Sequence, residues 1–550
     1  MKLLIIGGGA GGAAAAARAR RLDERAEIIV IERGAYVSYA SCGLPYYAGD
    51  VITERDKLII YPVEGLKNRF ALDIRTHSAV RHVDCHGKTV AIEDLAGGAR
   101  HRESYDYLIL APGAEPIIPP IEGAHLPAVH TVRNLPDIDR IKARLDSGEV
   151  RKVAVIGGGY IGLEMAENIH ARGITVDIIE MQDQVLPVCD PEMAAILHRH
   201  IIEQGVRLHL GERVAALTAA SGAGCVVHTA SGVDYSTDMV VVSAGVKPEI
   251  SLAREAGLKI GRQGIQVDRR MRTSDESIFA VGDAVETEDP VTGVSRPVPL
   301  AGPAAKQARV AVNTIFGIHD EYAGTLGTAI VKIFALALGM TGATEKQLKS
   351  AGKPFAKVYT QHPDHASYYP GASPLIIKLM YDPRGGRVLG AQVVGKSGVD
   401  KRIDLLATAI RHSLTVKDLA ELELSYAPPF GSTKDPVNLT GLAALNSVQG
   451  LVHFTHWDCL SGGEFLLDVR TEAEFAKGAA AGAVNIPLDD LRDRLSELSR
   501  DREITVYCGM GYRSYIACRI MSQNGFSACT ISGGYAMYRN FKDAGMLKFA

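Results

Sequence analysis

The sequence predicts an α/β protein with two doubly wound dinucleotide-binding domains and a separate α/β module at its C-terminal end. Three observations support this. A strand, a glycine loop, a helix, a strand and an acid occur in order over 2–32, the series recurs over 152–180, and a strand feeding a differently built glycine loop and helix occupies 503–518. A chain of 550 residues is too long for one core and divides into about three or four domains of ~100–200 residues. Apolar residues at 47%, charged residues at 22% and a formal net charge of -3 fit ordinary globular domains and leave no basic footprint for nucleic acid. The apolar run after Met1 reaches glycines too soon for a signal-peptide core, and no stretch of about 18 uncharged apolar residues follows. The reading is therefore a cytoplasmic protein with neither a membrane span nor a nucleic-acid partner. Cysteines at 42, 85, 189, 225, 459, 508, 518 and 529 lack Cys-x-x-Cys spacing and predict no metal site and no secreted disulfide framework.

The first unit opens with the apolar strand Lys2–Ile6. Gly7-x-Gly9-x-x-Gly12 then leads an alanine-rich helix from 12 to about 21, and the strand Glu27–Ile31 ends at Glu32. Such glycines let the backbone turn tightly and approach a pyrophosphate on the helix N-terminus, while an acid about 20 residues on accepts from a ribose hydroxyl. In the second unit Lys152–Ile156 is the strand, Gly157-x-Gly159-x-x-Gly162 leads a helix to about Arg172, and Thr175–Ile179 ends at Glu180. Met181, Gln182 and Asp183 follow Glu180. With no arginine there to meet a 2′-phosphate, the second site is read as preferring NADH to NADPH.

Two dinucleotide sites in one chain resemble the flavoprotein pyridine nucleotide-disulfide oxidoreductases, in which the first site holds FAD and the second NAD(P)H. Three further stretches carry the resemblance: 105–116 ("YDYLILAPGAEP"), 238–248 ("DMVVVSAGVKP") and 272–284 ("RTSDESIFAVGDA"). The resemblance implies an FAD-binding domain over 1–112 and 246–325, an NAD(P)H-binding domain over 113–245 and an α+β dimerisation domain over 326–445. It implies FAD contacts from Gly7, Gly9, Gly12, Glu32, Arg33, Ala111, Gly113, Gly282 and Asp283, with Asp283 on the ribitol. The NAD contacts would be Gly157, Gly159, Gly162, Glu180 and Gly245.

The stretch 41–47, "SCGLPYY", holds a solitary cysteine. Members of this superfamily with an internal disulfide carry Cys-x4-Cys, but positions 37 and 47 are Val37 and Tyr47. Cys42 would then cycle through a sulfenic acid or form a mixed disulfide with a small thiol. The surroundings resemble the coenzyme A disulfide reductases and related persulfide reductases, which implies CoA contacts from Arg18, Arg21, Ser38 and Ser41. The peroxidases and oxidases of the group usually carry a histidine where this chain has Ala10. Two later segments, 365–372 and 422–436, resemble parts of the dimerisation domain whose tyrosines reach the other subunit's cysteine site. Tyr368 and Tyr426 match best, with Tyr369 as an alternative.

From about 455 to 550 the chain resembles a rhodanese module. Asp468, Arg470, Glu474 and "GAVNIPL" match its first half, and Cys508-x-x-Gly511-x-Arg513 its active loop. N–H groups converging on a thiol at the start of a helix favour a thiolate or persulfide anion; Arg513 would orient the loop or an anionic substrate. The whole chain thus resembles CoA disulfide reductase–rhodanese fusions. The implied cycle delivers sulfane sulfur through Cys508 to CoA, reduces CoA persulfide or CoA disulfide through a Cys42–CoA mixed disulfide, and draws electrons from NADH through FAD in a homodimer. The alternatives are an NADH oxidase or peroxidase using a Cys42 sulfenic acid, a sulfur carrier or sensor centred on Cys508, and a plain CoA disulfide reductase with an idle rhodanese module.

Overall fold

The computed structural model of the chain describes residues 1–220 and 224–548. They form two compact units, the first of Met1–Met181 and Glu212–Gly327, the second of Gln182–Gly211 and Thr328–Ala550. Among the described residues no helix is long and apolar enough to cross a membrane.

In the first unit one parallel sheet runs Ile278–Ala280, Tyr107–Leu110, Lys2–Ile6, Glu27–Ile31, Asp73–Arg75. Its strands are continuous aliphatic runs because both faces are covered: Leu3, Leu4, Ile5, Ile29, Leu108 and Ile109 have no exposed surface. Each such side chain contributes about 1.5–3 kcal/mol of burial. The helix Ala10–Leu22 lies against the helix Ala301–Ile315. Its buried face is Gly11, Gly12, Ala15, Ala16 and Ala19, small residues that let the helix sit close on its neighbours. This helix begins two residues earlier than the sequence predicts.

A second parallel sheet contains Thr175–Ile179, Lys152–Ile156, Met239–Val242 and Val129–Thr131 in that order. Its glycine-led helix is Tyr160–His170, ending short of the predicted Arg172 because Gly173 turns the chain at φ 78°. The crossover stretches pair with each other, Val246–Pro248 antiparallel to Ala114–Pro116.

In the second unit an antiparallel sheet runs Ala329–Ile333, Leu336–Gly342, Val388–Gly395, Pro374–Tyr381, Ala356–Pro363, with helices Val399–Arg411 and Pro436–Val448 packed on it. The C-terminal module has a parallel sheet, Phe454–Thr455, Ala528–Ile531, Ile504–Tyr507, Phe465–Asp468, Val484–Asn485.

A buried charge cluster joins this module to the antiparallel sheet. Lys378 Nζ, with 0% of its side chain exposed, lies 2.7 Å from Asp190, 2.5 Å from Glu192 and 2.6 Å from Glu345. Lys357 Nζ reaches Glu345 at 2.8 Å and Asp458 at 3.1 Å. The Tyr359 hydroxyl donates to Glu192 at 2.8 Å, and its N–H to Ser532 Oγ at 2.7 Å. Burial opposes charge on both Lys378 and Glu345, yet the opposite charges outweigh it. The three carboxylates raise the lysine, while Lys378 and Lys357 hold Glu345 well below the usual carboxylate range.

Candidate functional site

The two glycine loops are geometric duplicates. Gly7 and Gly157 turn at φ 100° and 105°, a region closed to most side chains. A Cβ on Gly12 would come within 1.8 Å of the Gly7 carbonyl oxygen, and one on Gly162 within 2.0 Å of that of Gly157. The middle glycines behave differently: a Cβ on Gly9 or Gly159 would meet nothing within 4 Å. Open ground therefore lies at each helix N-terminus, where a pyrophosphate would be held. The acids hold the loops in register, Glu32 accepting from the Gly8 N–H at 2.7 Å and Glu180 from the Gly158 N–H at 2.6 Å. Glu32 also accepts from the Gly34 N–H at 2.7 Å.

The remaining predicted nucleotide contacts surround these loops. Ala111 N–H donates to the Ile6 carbonyl, so 111–113 follow directly from the strand beside the first loop. A Cβ on Gly113 would meet nothing within 4 Å, and one on Gly245 would touch only Ile117. Arg33 is paired with Glu115 at 2.7 Å. The Gly282 N–H donates to Gln307 at 2.7 Å, fixing the turn that carries Asp283. Burial alone pushes the Asp283 carboxyl upward, as for an acid waiting to accept from neutral hydroxyls. This desolvated acid and the open glycine loop fit the ribitol and pyrophosphate of FAD.

Cys42 is a free, exposed thiol in the short helical turn Ser41–Gly43, which leads into Leu44–Ala48. That segment is bolted to the second nucleotide sheet's helices. Arg172 donates to the Ala48 carbonyl at 2.9 Å, Lys142 lies 5.8 Å from the centre of the Tyr47 ring, and the Tyr46 hydroxyl donates to Glu164 at 3.4 Å. Val37, at the other position a resolving cysteine would take, is buried beneath the Gly8 loop. Burial first, then Glu164, pushes Tyr46 up to about 12. Burial also lifts Glu164 to about 6, with the Tyr46 hydrogen bond opposing and Glu167 adding. A carboxyl raised on folding costs stability once it ionises, so this contribution falls as pH rises from about 4.5 to about 6. Glu164→Gln is expected to stabilise the protein at pH 8 by about 1 kcal/mol, after allowance for partial exposure, and to leave it unchanged at pH 4. Melting curves at the two pH values check this.

Arg18, Arg21 and Ser38 line one cavity of about 450 Å³ together with Tyr61, Phe70 and Arg309. Arg18 is held by Asn313 Oδ1 at 2.8 and 3.0 Å. Its guanidinium is lowered first by burial and then by Arg309 and Arg21; three like charges thus face one space with aromatic rings beside it. Ser41, in the cysteine turn, is exposed and is not among the residues lining the cavity.

In the second unit the Tyr368 and Tyr426 hydroxyls are 2.8 Å apart. Both rings face outward, 74% and 44% exposed, and Tyr369 stands beside them. In the C-terminal module the strand Ile504–Tyr507 delivers a buried Cys508 to the loop. The Gly511 N–H points at its Sγ from 3.1 Å, and the helix Tyr512–Gln523 starts there. The loop is clamped from behind by the Tyr535 and Ala536 N–H groups, which donate to the Cys508 and Gly509 carbonyls. Arg513 makes a two-pronged pair with Glu474, 2.7 Å on each arm. Arg513 pulls Glu474 down to about 2.

The family model for the pyridine nucleotide-disulphide oxidoreductases matches residues 1–313, more than half of the chain. The chain belongs to that family. Its dimerisation domain matches 328–435 and the rhodanese-like domain 456–540. An NADH oxidase of Methanocaldococcus jannaschii is 35% identical over 82% of this chain and 100% of its own length. A coenzyme A disulfide reductase of Staphylococcus aureus is 33% identical over 80% of this chain and 99% of its own. Among solved structures, the reduced Bacillus anthracis CoADR-RHD superposes with a TM-score of 0.96 at 47% identity, covering 98% of both chains. The NAD-dependent persulfide reductase from A. fulgidus gives 0.91 at 39%, covering 98% of this chain and 100% of that one.

This oxidoreductase, a flavoprotein type with a rhodanese module, carries three groups that sequence reasoning missed. Arg309 and Tyr61 join the cavity from segments with no motif. Glu164 sits two residues past Gly162 inside the second fingerprint, where only the glycines were read. Its position on the helix face toward Tyr46 depends on the packing of Leu44–Ala48.

Proposed function

We propose that this protein reduces CoA persulfide and CoA disulfide with NADH, through a mixed disulfide between Cys42 and CoA, and that Cys508 supplies sulfane sulfur to CoA. The observation that carries the reading is the cavity with Arg18, Arg21 and Arg309 around one space, four residues of chain from Ser38 to Cys42. Guanidiniums and aromatic rings together suit a phosphorylated adenine nucleotide, and the thiol end of such a ligand suits a cysteine that has no partner of its own.

In this reading the Cys42 thiolate attacks the CoA-bound sulfur of CoA–S–SH, the outer S–S bond breaks, and hydrosulfide leaves with the electron pair. The product is Cys42–S–S–CoA. Two electrons and one proton then return a Cys42 thiolate and free CoA thiol. FAD, when bound, would supply the two-electron relay between NADH and that disulfide. Asp283 and the Gly9 loop would hold FAD, and Glu180 with the Gly159 loop the NADH. The chain works as a homodimer in which each subunit's exposed Tyr368 and Tyr426 reach the other's cysteine site and donate to the leaving sulfur. Free thiols suit the reducing cytoplasm.

The similarity to an NADH oxidase favours a second reading, in which Cys42 cycles through a sulfenic acid. NADH oxidation with CoA persulfide, CoA disulfide and hydrogen peroxide, measured side by side, separates the two. The CoA substrates are expected to turn over fastest. Peroxide turnover matching them and indifferent to added CoA would favour the oxidase reading. Arg21→Ala and Arg309→Ala are each expected to raise KM for CoA disulfide about tenfold with kcat nearly unchanged, as removal of a charge-assisted ground-state contact does. Steady-state kinetics over a range of CoA disulfide concentrations checks it.

A further inference from the structure

The Tyr368 and Tyr426 hydroxyls meet at 2.8 Å although both rings face outward, 74% and 44% exposed. Exposed side chains give up rotamer entropy to hold one geometry, so their spacing depends on how firmly the segments beneath them are fixed. Those segments are anchored at their bases. The Asp364 N–H donates to the Ser373 carbonyl at 3.0 Å, and the Ser373 N–H donates back to the Asp364 carboxylate at 2.8 Å, which closes the loop that carries Tyr368. The Ala366 N–H donates to the Gly431 carbonyl at 3.0 Å, joining this loop to the segment that carries Tyr426. Beneath both lies Arg402, 1% exposed, on the helix Val399–Arg411. Its Nη2 donates to the Asp364 carbonyl at 2.7 Å and to the Asp435 carboxylate at 2.8 Å. Its Nε reaches the same carboxylate at 3.3 Å, and its Nη1 the Gly398 carbonyl at 3.3 Å. One buried side chain thus spans the start of the Tyr368 loop and the end of the Tyr426 segment.

We propose that Arg402 is a positioning residue for the reductase step, fixing the two phenols as a single proton donor to the leaving sulfur. The proposal rests on the reading above in which Tyr368 and Tyr426 serve the other subunit's cysteine site. With CoA disulfide the step is Cys42–S⁻ + CoA–S–S–CoA + H⁺ → Cys42–S–S–CoA + CoA–SH. The thiolate attacks one sulfur and the S–S bond breaks. The departing sulfur takes the electron pair and a proton from the phenol pair, which recovers it from water. Of two hydroxyls in contact one donates to the other, so the pair keeps one outward O–H, polarised by the bond behind it. That arrangement is only as good as its aim, since a displacement of about 1 Å costs up to about 10²-fold. The planar fork of a guanidinium holds a carboxylate and two carbonyls at once, whereas an ammonium acts as a point charge.

The test uses the full-length flavoenzyme and compares kcat/KM for CoA disulfide with that for the mixed disulfide of CoA and thionitrobenzoate, both from NADH consumption. Both substrates bind through CoA, but thionitrobenzoate leaves as a stable thiolate and needs no proton. Arg402→Lys is expected to lower kcat/KM for CoA disulfide by about tenfold or more and that for the mixed disulfide by less than about threefold. Tyr426→Phe, which removes one phenol outright, is expected to show the same selectivity. Gly398→Ala covers the case in which Arg402→Lys fails to fold. A Cβ there would come within 2.1 Å of Arg402 Nη1, so the fork has to move while its charge stays, and the same selective loss is expected. Equal loss with both substrates, or loss with neither, while Tyr426→Phe remains selective would overturn the proposal and sustain the phenols as donors. A Tyr426→Phe variant that treats both substrates alike would overturn the reading beneath it.

Discussion

Cys42→Ser is expected to lower NADH oxidation with both CoA persulfide and CoA disulfide by at least about 10³-fold, with the flavin still bound. Serine fills nearly the same volume and keeps the exposed turn Ser41–Gly43, so folding and cofactor retention should not change. A hydroxyl cannot form the mixed disulfide, which removes the covalent step rather than weakening it. The contrast is Cys508→Ser. That variant keeps its CoA disulfide rate and loses only turnover that depends on sulfur delivered by the rhodanese module. Flavin absorbance checks retention, and NADH consumption gives the rates. Full reductase activity in Cys42→Ser would remove the mixed disulfide from the cycle.

Lys378→Met is expected to destabilise the second unit by about 3–5 kcal/mol, the cost of leaving a buried carboxylate group uncompensated. Methionine replaces the hydrocarbon stem but removes the one charge that touches Asp190, Glu192 and Glu345 together. Lys357 remains and reaches only Glu345 of these three. In the variant Glu345 loses the stronger of the two cations that hold it down, and a buried carboxylate left without its counter-charge costs more the further the pH lies above its unfolded value. The gap between variant and parent should therefore widen from pH 5 to pH 8. Adding Glu192→Gln should recover part of the loss, since one uncompensated charge is then gone. Calorimetric melting at both pH values provides the check; a shift of less than about 2 °C would mean the cluster is solvated or already neutral.

The parts of this fold that rest on local spacing were legible in the sequence. Gly12 closes on Gly7 and Glu32 accepts from Gly8 within one strand–loop–helix–strand unit, as Gly162 does on Gly157 and Glu180 from Gly158 in the next. The same holds for Cys508, Gly511 and Arg513, whose roles depend on a six-residue loop. Even there the bond that governs Arg513 comes from Glu474, on a different helix, and its two-pronged form needed coordinates. What stayed hidden depends on distant segments. The cavity needs Arg18 from one helix and Arg309 from another, and Asn313 to hold Arg18. Lys378 reads as an ordinary polar residue in the strand Pro374–Tyr381, because nothing near it announces the three acids that neutralise it. Tyr46 and Glu164 meet only because Leu44–Ala48 packs on the helix Tyr160–His170. The resemblance points to Arg18 and Arg21, which line one cavity; it points equally to Ser41, which stands outside that lining.

The central claim is that the partner of Cys42 is a small thiol arriving from solution. Mixing enzyme that carries oxidised flavin and a free Cys42 thiol with CoA persulfide in the absence of NADH, then quenching in acid and mapping peptides by mass spectrometry, tests it directly. One CoA joined by a disulfide to the peptide carrying Cys42, released on addition of NADH, is the predicted result. Steady NADH oxidation with no CoA ever found on that peptide, or with Cys42 found only as a sulfenic acid, would contradict it.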